Sequence, residues 1–308
     1  VFTNGYDLNI AAVYTEADIF FSKKWAAKVG IRASNNDLLN ETVLAPRISF
    51  AYKMAKNSQF SFAYGDFTQT PNSEYIKYSN NHQFESEKAS HYILNFQYNK
   101  NGKTFRAEAY FKDYSNLVKF NTEKATYNSV YDNTGSGYAK GLDLFWRDGK
   151  SIKNVEYWIS YSYIDSERDY KNFPTQATPN FIASNSLSIV AKYWINDWKS
   201  QVGFTNSYSS GRPYNNPNET KFMNEKTKSY NSLSFNWAYL LSQQKILYFS
   251  VSNVLGSHNV FGYEYANNPD NKGFYNRKEI IPTADRFFFV GFFWTISNDK
   301  KDNQLRNL

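Results

Sequence analysis

The 308-residue sequence has no cysteine, which rules out a disulfide framework and any thiolate metal or redox centre. It also lacks a long hydrophobic run. The longest unbroken apolar stretch, Phe287 to Trp294, is eight residues, whereas a helix needs about 20 to cross a bilayer; a helical membrane protein is excluded. Histidine is scarce: His82, His91 and His258 stand far apart, without the spacing of a metal site. No nucleophile motif accompanies them, so neither an enzyme nor a metal or other cofactor is expected. The net charge of +7 is spread along the chain among acidic residues, and nucleic acid is not an expected partner. The sequence opens at Val1 with no initiator Met and no signal-type apolar segment, as a processed protein or a fragment would.

What is abundant is aromatic. Tyr and Phe number 26 each, with 7 Trp, while the mean hydropathy is −0.66: much apolar surface, but no apolar block. That surface is distributed with period two, the signature of strands with one greasy and one polar face. Tyr92, Leu94, Phe96 and Tyr98 alternate with Asn95 and Gln97. Phe105, Ala107, Ala109 and Phe111 alternate with Arg106, Glu108 and Lys112. No segment of helical period is comparably strong.

The pattern places thirteen strands at 8–21, 25–34, 45–53, 59–68, 88–99, 103–119, 137–147, 152–167, 182–194, 198–210, 229–241, 245–260 and 284–296. Brief turns at Lys23, Asn57, Asn101-Gly102, Asp148-Gly149, Asn196-Asp197 and Gln243-Gln244 are each followed by a polar loop of ten or more residues. Short turns opposite long loops are the asymmetry of outer-membrane barrels. Trp25, Trp146, Trp194 and Trp198 lie beside the short turns and Trp294 ends the last strand, as an interfacial girdle requires; Trp capping a soluble core is the alternative. In hydrocarbon a sheet must close on itself, and single-chain bacterial barrels have even strand numbers. Thirteen strands therefore imply that others are missing on the N-terminal side.

Several strands are similar in wording to the C-terminal barrel of TonB-dependent outer-membrane receptors: LAPRISFAYKMAKNSQFSFAYGDFTQTP (Leu44 to Pro71), ESEKASHYILNFQY (Glu85 to Tyr98), KGLDLFW (Lys140 to Trp146), FSVSNVLGSHNVFGYEY (Phe249 to Tyr265) and the closing RFFFVGFFWTIS (Arg286 to Ser297). The resemblance implies an all-β transmembrane antiparallel barrel, with these strands the tenth to twenty-second of a 22-stranded wall. Residues 1–297 would be that portion, and 298–308 a periplasmic tail. It further implies a Gram-negative outer-membrane location, in lipid bilayer and lipopolysaccharide. The implied role is uptake of a scarce nutrient (siderophore, glycan or peptide), driven by an inner-membrane energy-coupling complex acting through a plug domain. This chain has no counterpart of the plug. Whether a surface lipoprotein covers the loops is left open, and a passive porin, an adhesion barrel or an outer-membrane hydrolase remain alternatives.

Binding residues of a barrel sit on long loops held by a rigid wall. The candidates are Tyr75, Lys77 and Tyr78 after Pro71, and Arg212, Tyr214, Asn215 and Asn216 after Ser210. Asn267, Asn268, Asp270 and Asn271 offer oxygens to calcium without its full ligand pattern. The alternation assigns Lys28, Arg32, Arg47, Arg106, Glu108, Lys112, Asp143 and Arg147 to a wet, plug-facing lumen.

Overall fold

The computed structural model describes residues 5–79 and 84–296; the expected tail and His82 lie outside them. Thirteen strands form one sheet: β1 (Ile10–Phe20), β2 (Trp25–Asn36), β3 (Glu41–Ala55), β4 (Ser58–Gln69), β5 (Glu87–Lys100), β6 (Lys103–Phe120), β7 (Tyr131–Asp148), β8 (Val155–Asp169), β9 (Asn185–Ile195), β10 (Ser200–Ser209), β13 (Tyr230–Ser242), β14 (Lys245–Ser252) and β17 (Phe287–Trp294). Each pairs antiparallel with its neighbour in chain order, and among the described residues no ladder joins β1 to β17. The sheet is a partial barrel.

All thirteen expected strands are present, with two corrections. The expected loop at 35–44 is a tight turn at 37–40. β2 runs on to Asn36, and the turn closes as Asn40 N–H donates to Asp37 O at 3.2 Å with Asn40 at φ 48°, a conformation asparagine tolerates better than most residues. The strand expected at 245–260 stops at Ser252. Asn253 turns the chain with φ 50°, its Nδ2 donating to Ser257 O and Asp285 O at 2.8 Å each and its Oδ1 accepting from Ser257 N at 3.0 Å.

At one end the strands are joined by short turns such as 56–57, 101–102 and 243–244. The other end carries the segments 70–79, 84–86, 121–130, 170–184, 210–229 and 253–286, here called the rim. The rim contains the helix α1 (Ser73–Tyr78) and two small hairpins, β11 (Pro213–Tyr214) with β12 (Glu225–Lys226) and β15 (Gly262–Tyr265) with β16 (Arg277–Ile280). The helix, begun by Asn72 Oδ1 accepting from Glu74 N at 2.9 Å, is too short to leave a periodic signal.

Side chains of directly paired residues share a face of a sheet. Lys28 pairs with Asp18 and Ser49, and Arg47 with Gly30 and Gly65. Gly65 pairs with His91, His91 with Lys112, Asn95 with Glu108, and Glu108 with Asp143. The same face, entered through Phe145, runs on as Ser160, Ser188, Ser207 and Ser232. The opposite face runs Phe62, Leu94, Ala109, Leu142, Tyr163 and, farther on, Phe204, Phe235, Val251, Phe288. The ladders slip only near strand ends, at Tyr52/Ala55, Tyr114/Leu117/Lys119 and Leu240/Ser242, so one parity holds across the sheet.

Toward the turn end the apolar face carries a belt of rings. Trp25 stacks on Tyr52 with centroids 4.4 Å apart, and Phe60, Phe96, Phe105 and Trp146 follow at 4.7, 6.1 and 6.3 Å. β17 departs from the alternation: Phe289 and Phe293 lie on the charged-face parity, beside Tyr248 at 6.0 and 6.2 Å.

Candidate ligand-binding mouth and charged face

The segments above the sheet touch one another in sequence and form a linked rim. At one side, Tyr75 of α1 packs with Leu39, Phe84, Val118, Phe120 and Tyr131 into a buried cluster. Its ring lies 5.6 Å from Phe120 and 6.2 Å from Tyr131, and burial pushes its hydroxyl pKa up to about 12. Tyr75 is thus part of the rim's own core, not an open loop surface. Lys77 is exposed on the same helix and Tyr78 half-buried.

From this cluster, segment 170–184 folds back onto β6, Phe120 N donating to Lys171 O at 3.0 Å and Lys171 N to Val118 O at 2.7 Å. Lys119 pairs with Asp169 at the same point. The chain of rings Tyr170, Phe173 and Phe222, with centroids 4.9 and 4.8 Å apart, reaches segment 210–229.

There the two hairpins are clamped by Arg277. Its Nη1 donates to Tyr214 Oη at 3.0 Å and lies 3.5 Å from Glu225 Oε2, with the guanidinium 4.4 Å from the centroid of Tyr263. Asn218 and Tyr275 tie the hairpins again, Asn218 Nδ2 to Tyr275 O at 3.0 Å and Tyr275 N to Asn218 Oδ1 at 2.7 Å. Burial, and donation to Glu225, push the Tyr214 hydroxyl pKa well up. Glu225, accepting from Tyr214 and from Asn216 Nδ2, is held below the usual carboxylate range. Asn215 Oδ1 accepts from Met223 N at 3.3 Å and stays exposed. Of the expected loop residues, then, Tyr214 and Asn216 hold the hairpins in shape.

Arg212 lines a cavity of 280 Å³ between the hairpins and the ends of β10 and β13, with Lys228, Tyr230, Phe261, Ser207 and Thr227. The rings of Tyr230 and Phe261 stack there at 6.0 Å and 27°. Two cations, three aromatic side chains, counting Tyr208, and several hydroxyls suit an anionic or hydroxyl-rich solute with a flat surface. Sequence reasoning found Arg212 and missed the others, because segments far apart in the chain meet at this place.

His258 lies beside the cavity. Its Nε2 is 3.1 Å from Glu279 Oε2 and its Nδ1 3.5 Å from Asp285 Oδ2, while Lys228 Nζ is 3.9 Å from Glu279 Oε1. Hydrogen bonding to Glu279, then to Asp285, raises its pKa. Asp270 Oδ1 accepts from Lys272 N and Phe274 N at 2.8 and 3.0 Å, closing the tip of the β15–β16 hairpin; Asn267, Asn268 and Asn271 are exposed around it. Among the described residues there is no group of three or more His, Cys, Asp or Glu placed to hold a metal ion.

Lys28, Arg32, Arg47, Arg106, Glu108, Lys112, Asp143 and Arg147 all share the charged face by register. Lys28 pairs with Asp18 at 3.4 Å, Arg147 with Glu156, and Glu108 Oε2 accepts from Asn95 at 3.2 Å. Other cations lie over rings of the same face: Arg47 over Phe67 at 4.9 Å, Lys112 over Tyr110 at 5.3 Å and Arg106 over Phe145 at 5.9 Å. No periodicity announces this pairing, since the rings occupy positions where the alternation anticipates polar residues.

A family model described as "TonB dependent receptor-like, beta-barrel" matches residues 1–254. No curated protein matches the sequence. Among solved structures, the chain is similar to the outer membrane transporter YddB from Escherichia coli (TM-score 0.70, 14% identity, 93% of this chain and 45% of that one). It is also similar to the siderophore receptor PiuA from Acinetobacter baumannii (0.70, 14%, 93% and 43%). The third is the ferric-catecholate import receptor Fiu from E. coli K12 (0.66, 11%, 93% and 44%). The chain spans less than half the length of these structures.

Proposed function

We propose, from the premise that the chain belongs to the TonB-dependent receptor-like β-barrel family, that it forms wall and rim of an energy-coupled outer-membrane receptor that takes up a scarce nutrient. The location is the Gram-negative outer membrane, and the family and fold are those of transporters and receptors rather than enzymes. The observation that carries the reading is the partition of faces: one parity, kept across the sheet, puts every expected charged residue on one side and an exposed apolar surface with a ring belt on the other. In hydrocarbon only that arrangement is tolerated. The apolar face meets lipid and, outside, lipopolysaccharide; the charged face lines the lumen.

The rim faces the cell exterior, and the cavity at Arg212 receives the cargo, with Lys77, Tyr78 and Asn215 exposed or half-exposed on the same rim. A siderophore, glycan or peptide fits its cations, rings and hydroxyls, and solved structures of similar fold include receptors named for siderophores and ferric catecholate. A plug domain elsewhere in the whole receptor fills the lumen, and the inner-membrane energy transducer acts through it. A passive pore or adhesion barrel draws no support from the family. Because these 308 residues hold no cysteine, no native thiol among them competes with an introduced one. A membrane-impermeant maleimide on intact cells should label Asn215→Cys and leave Gln243→Cys unlabelled. The reverse pattern would turn the barrel upside down and remove the mouth from the exterior.

A further inference from the structure

The charged face carries a second depression, away from the mouth, of 190 Å³. Its floor exists because small residues fall side by side: Gly65 pairs with Arg47 and His91, and Ala63 with Ser49 and Ile93. A Cβ at Gly65 would press against Arg47 Cγ and the Phe67 ring, each at 3.3 Å. With glycine there, the Arg47 guanidinium lies over Phe67, 4.9 Å from the ring centroid, and Phe67 in turn lies 4.6 Å from the His91 ring. Lys28, Glu16, Ile48 and Tyr64 complete the lining.

Arg47, like Lys112 and Arg106 on the same face, lies over a ring and not against a carboxylate. Lys28 and Arg147 have carboxylate partners, whereas among the described residues the Arg47 guanidinium has no hydrogen-bonded or ion-paired carboxylate, and its recorded contact is the Phe67 ring. A guanidinium stacked on a ring keeps its N–H edge open, and that edge binds the paired oxygens of a carboxylate or phosphate in a bidentate fork. Phe67, His91 and Ile93 supply a flat, largely apolar surface next to the fork.

We propose that this depression is a subsite in the wall for a carboxylate or phosphate group carried on a flat apolar body, the oxygens on Arg47 with Lys28 alongside and the body against Phe67 and His91. The assignment rests on the reading of the charged face as lumen. The anion is either a free solute in passage or an acidic side chain of the receptor's own polypeptide packed into the lumen.

The test uses the whole receptor purified in detergent, with benzoate as probe and saturation-transfer NMR as readout. Benzoate should bind, its affinity falling tenfold or more in Arg47→Gln, less in Arg47→Lys, and a few-fold in Phe67→Leu; inorganic phosphate, which has no flat body, should bind more weakly. Equal benzoate binding by wild type and Arg47→Gln overturns the proposal. Absence of benzoate binding together with a lowered unfolding temperature in Arg47→Gln assigns the acidic group to the receptor's own chain. Absence of both effects also overturns the subsite. The underlying lumen reading is checked separately. In lipid vesicles a water-soluble maleimide should react at Ser49→Cys and not at Ile48→Cys, and the opposite result sinks the face assignment whatever benzoate does.

Discussion

Wall and rim are made of the same residue types but held together by different means. In the wall, large apolar side chains stand in the open: Leu94 is 53% exposed and Val290 69%, and what holds the strands to one another is the ladder of backbone hydrogen bonds. In the rim, Phe84 is 4% exposed and Tyr75 9%, in a cluster with Leu39, Val118, Phe120 and Tyr131 that excludes water as the core of a soluble protein does. The difference teaches that apolar residues stabilise the rim by leaving water, whereas in the wall their contribution depends on the lipid around them. A substitution should therefore be judged by different rules in the two places.

The largest expected effect is in the cluster where the end of β6 meets the rim. Phe120→Ala removes a ring that touches both Tyr75 and Tyr131, and truncating a buried Phe costs about 3–5 kcal/mol. The loss should be local: amide exchange should rise steeply in α1 and residues 121–130 while the β8–β10 ladders stay protected. Uniform loosening of wall and rim together would mean that the two are not separately stabilised.

The wall is tested next. Leu94→Arg places a charge on the apolar face, at about 2–4 kcal/mol near the bilayer midplane; Asn95→Arg, one residue on, lies on the charged face beside Glu108 and should cost far less. Refolding into lipid vesicles along a urea gradient measures both, and spin labels at the two positions should show oxygen access at Leu94 alone. Equal losses in the two variants would erase the distinction between the faces.

The smallest effect sharpens the comparison within the rim, where polar contacts also hold. A neutral imidazole has one N–H, so His258, facing Glu279 with one ring nitrogen and Asp285 with the other, matches its surroundings only as imidazolium. Its folded pKa is raised above the unfolded value of 6.5, so the stabilisation is fully present below pH 6.5 and lost as pH rises through the higher folded value. Lys228, near the far oxygen of Glu279, keeps part of the contact when His258 is neutral. A spin label in residues 253–286 should gain mobility between pH 5.5 and 9, and His258→Gln should abolish the change. Equal mobility at both pH values in the wild type would show that the histidine is not the fastener.

The wall was legible in the sequence because a strand repeats one physical instruction every second residue, and Arg106, Glu108 and Lys112 against Phe105, Ala107 and Phe111 state it without ambiguity. The ends were less so. Asn253 stops β14 through bonds to Ser257 and to Asp285, the latter 32 residues away, and the pattern around it reads as continuing strand. In the rim almost nothing was legible beyond Arg212. The clamp from Arg277 to Tyr214 joins residues 63 positions apart, the hairpins are only two and four residues long in each arm, and Tyr75 reads as an exposed loop aromatic until Phe120 and Tyr131 are seen to cover it. Period carries information along a strand, and none about which loops will meet.

Because one parity is kept from β1 to β17, chain length inside the wall is as constrained as chain chemistry. Deleting a single residue in the middle of β6 would rotate everything beyond it by half a turn of the pleat, sending charged side chains toward lipid and rings toward water. The bulges at Tyr52/Ala55, Tyr114/Leu117/Lys119 and Leu240/Ser242 mark where an odd residue is absorbed, close to strand ends. Insertions should be accepted in segments such as 121–130 or at the tip of the β15–β16 hairpin, where Gly273 has open space around it. If the rim faces the cell exterior as proposed, a reporter tag for surface display belongs at that tip.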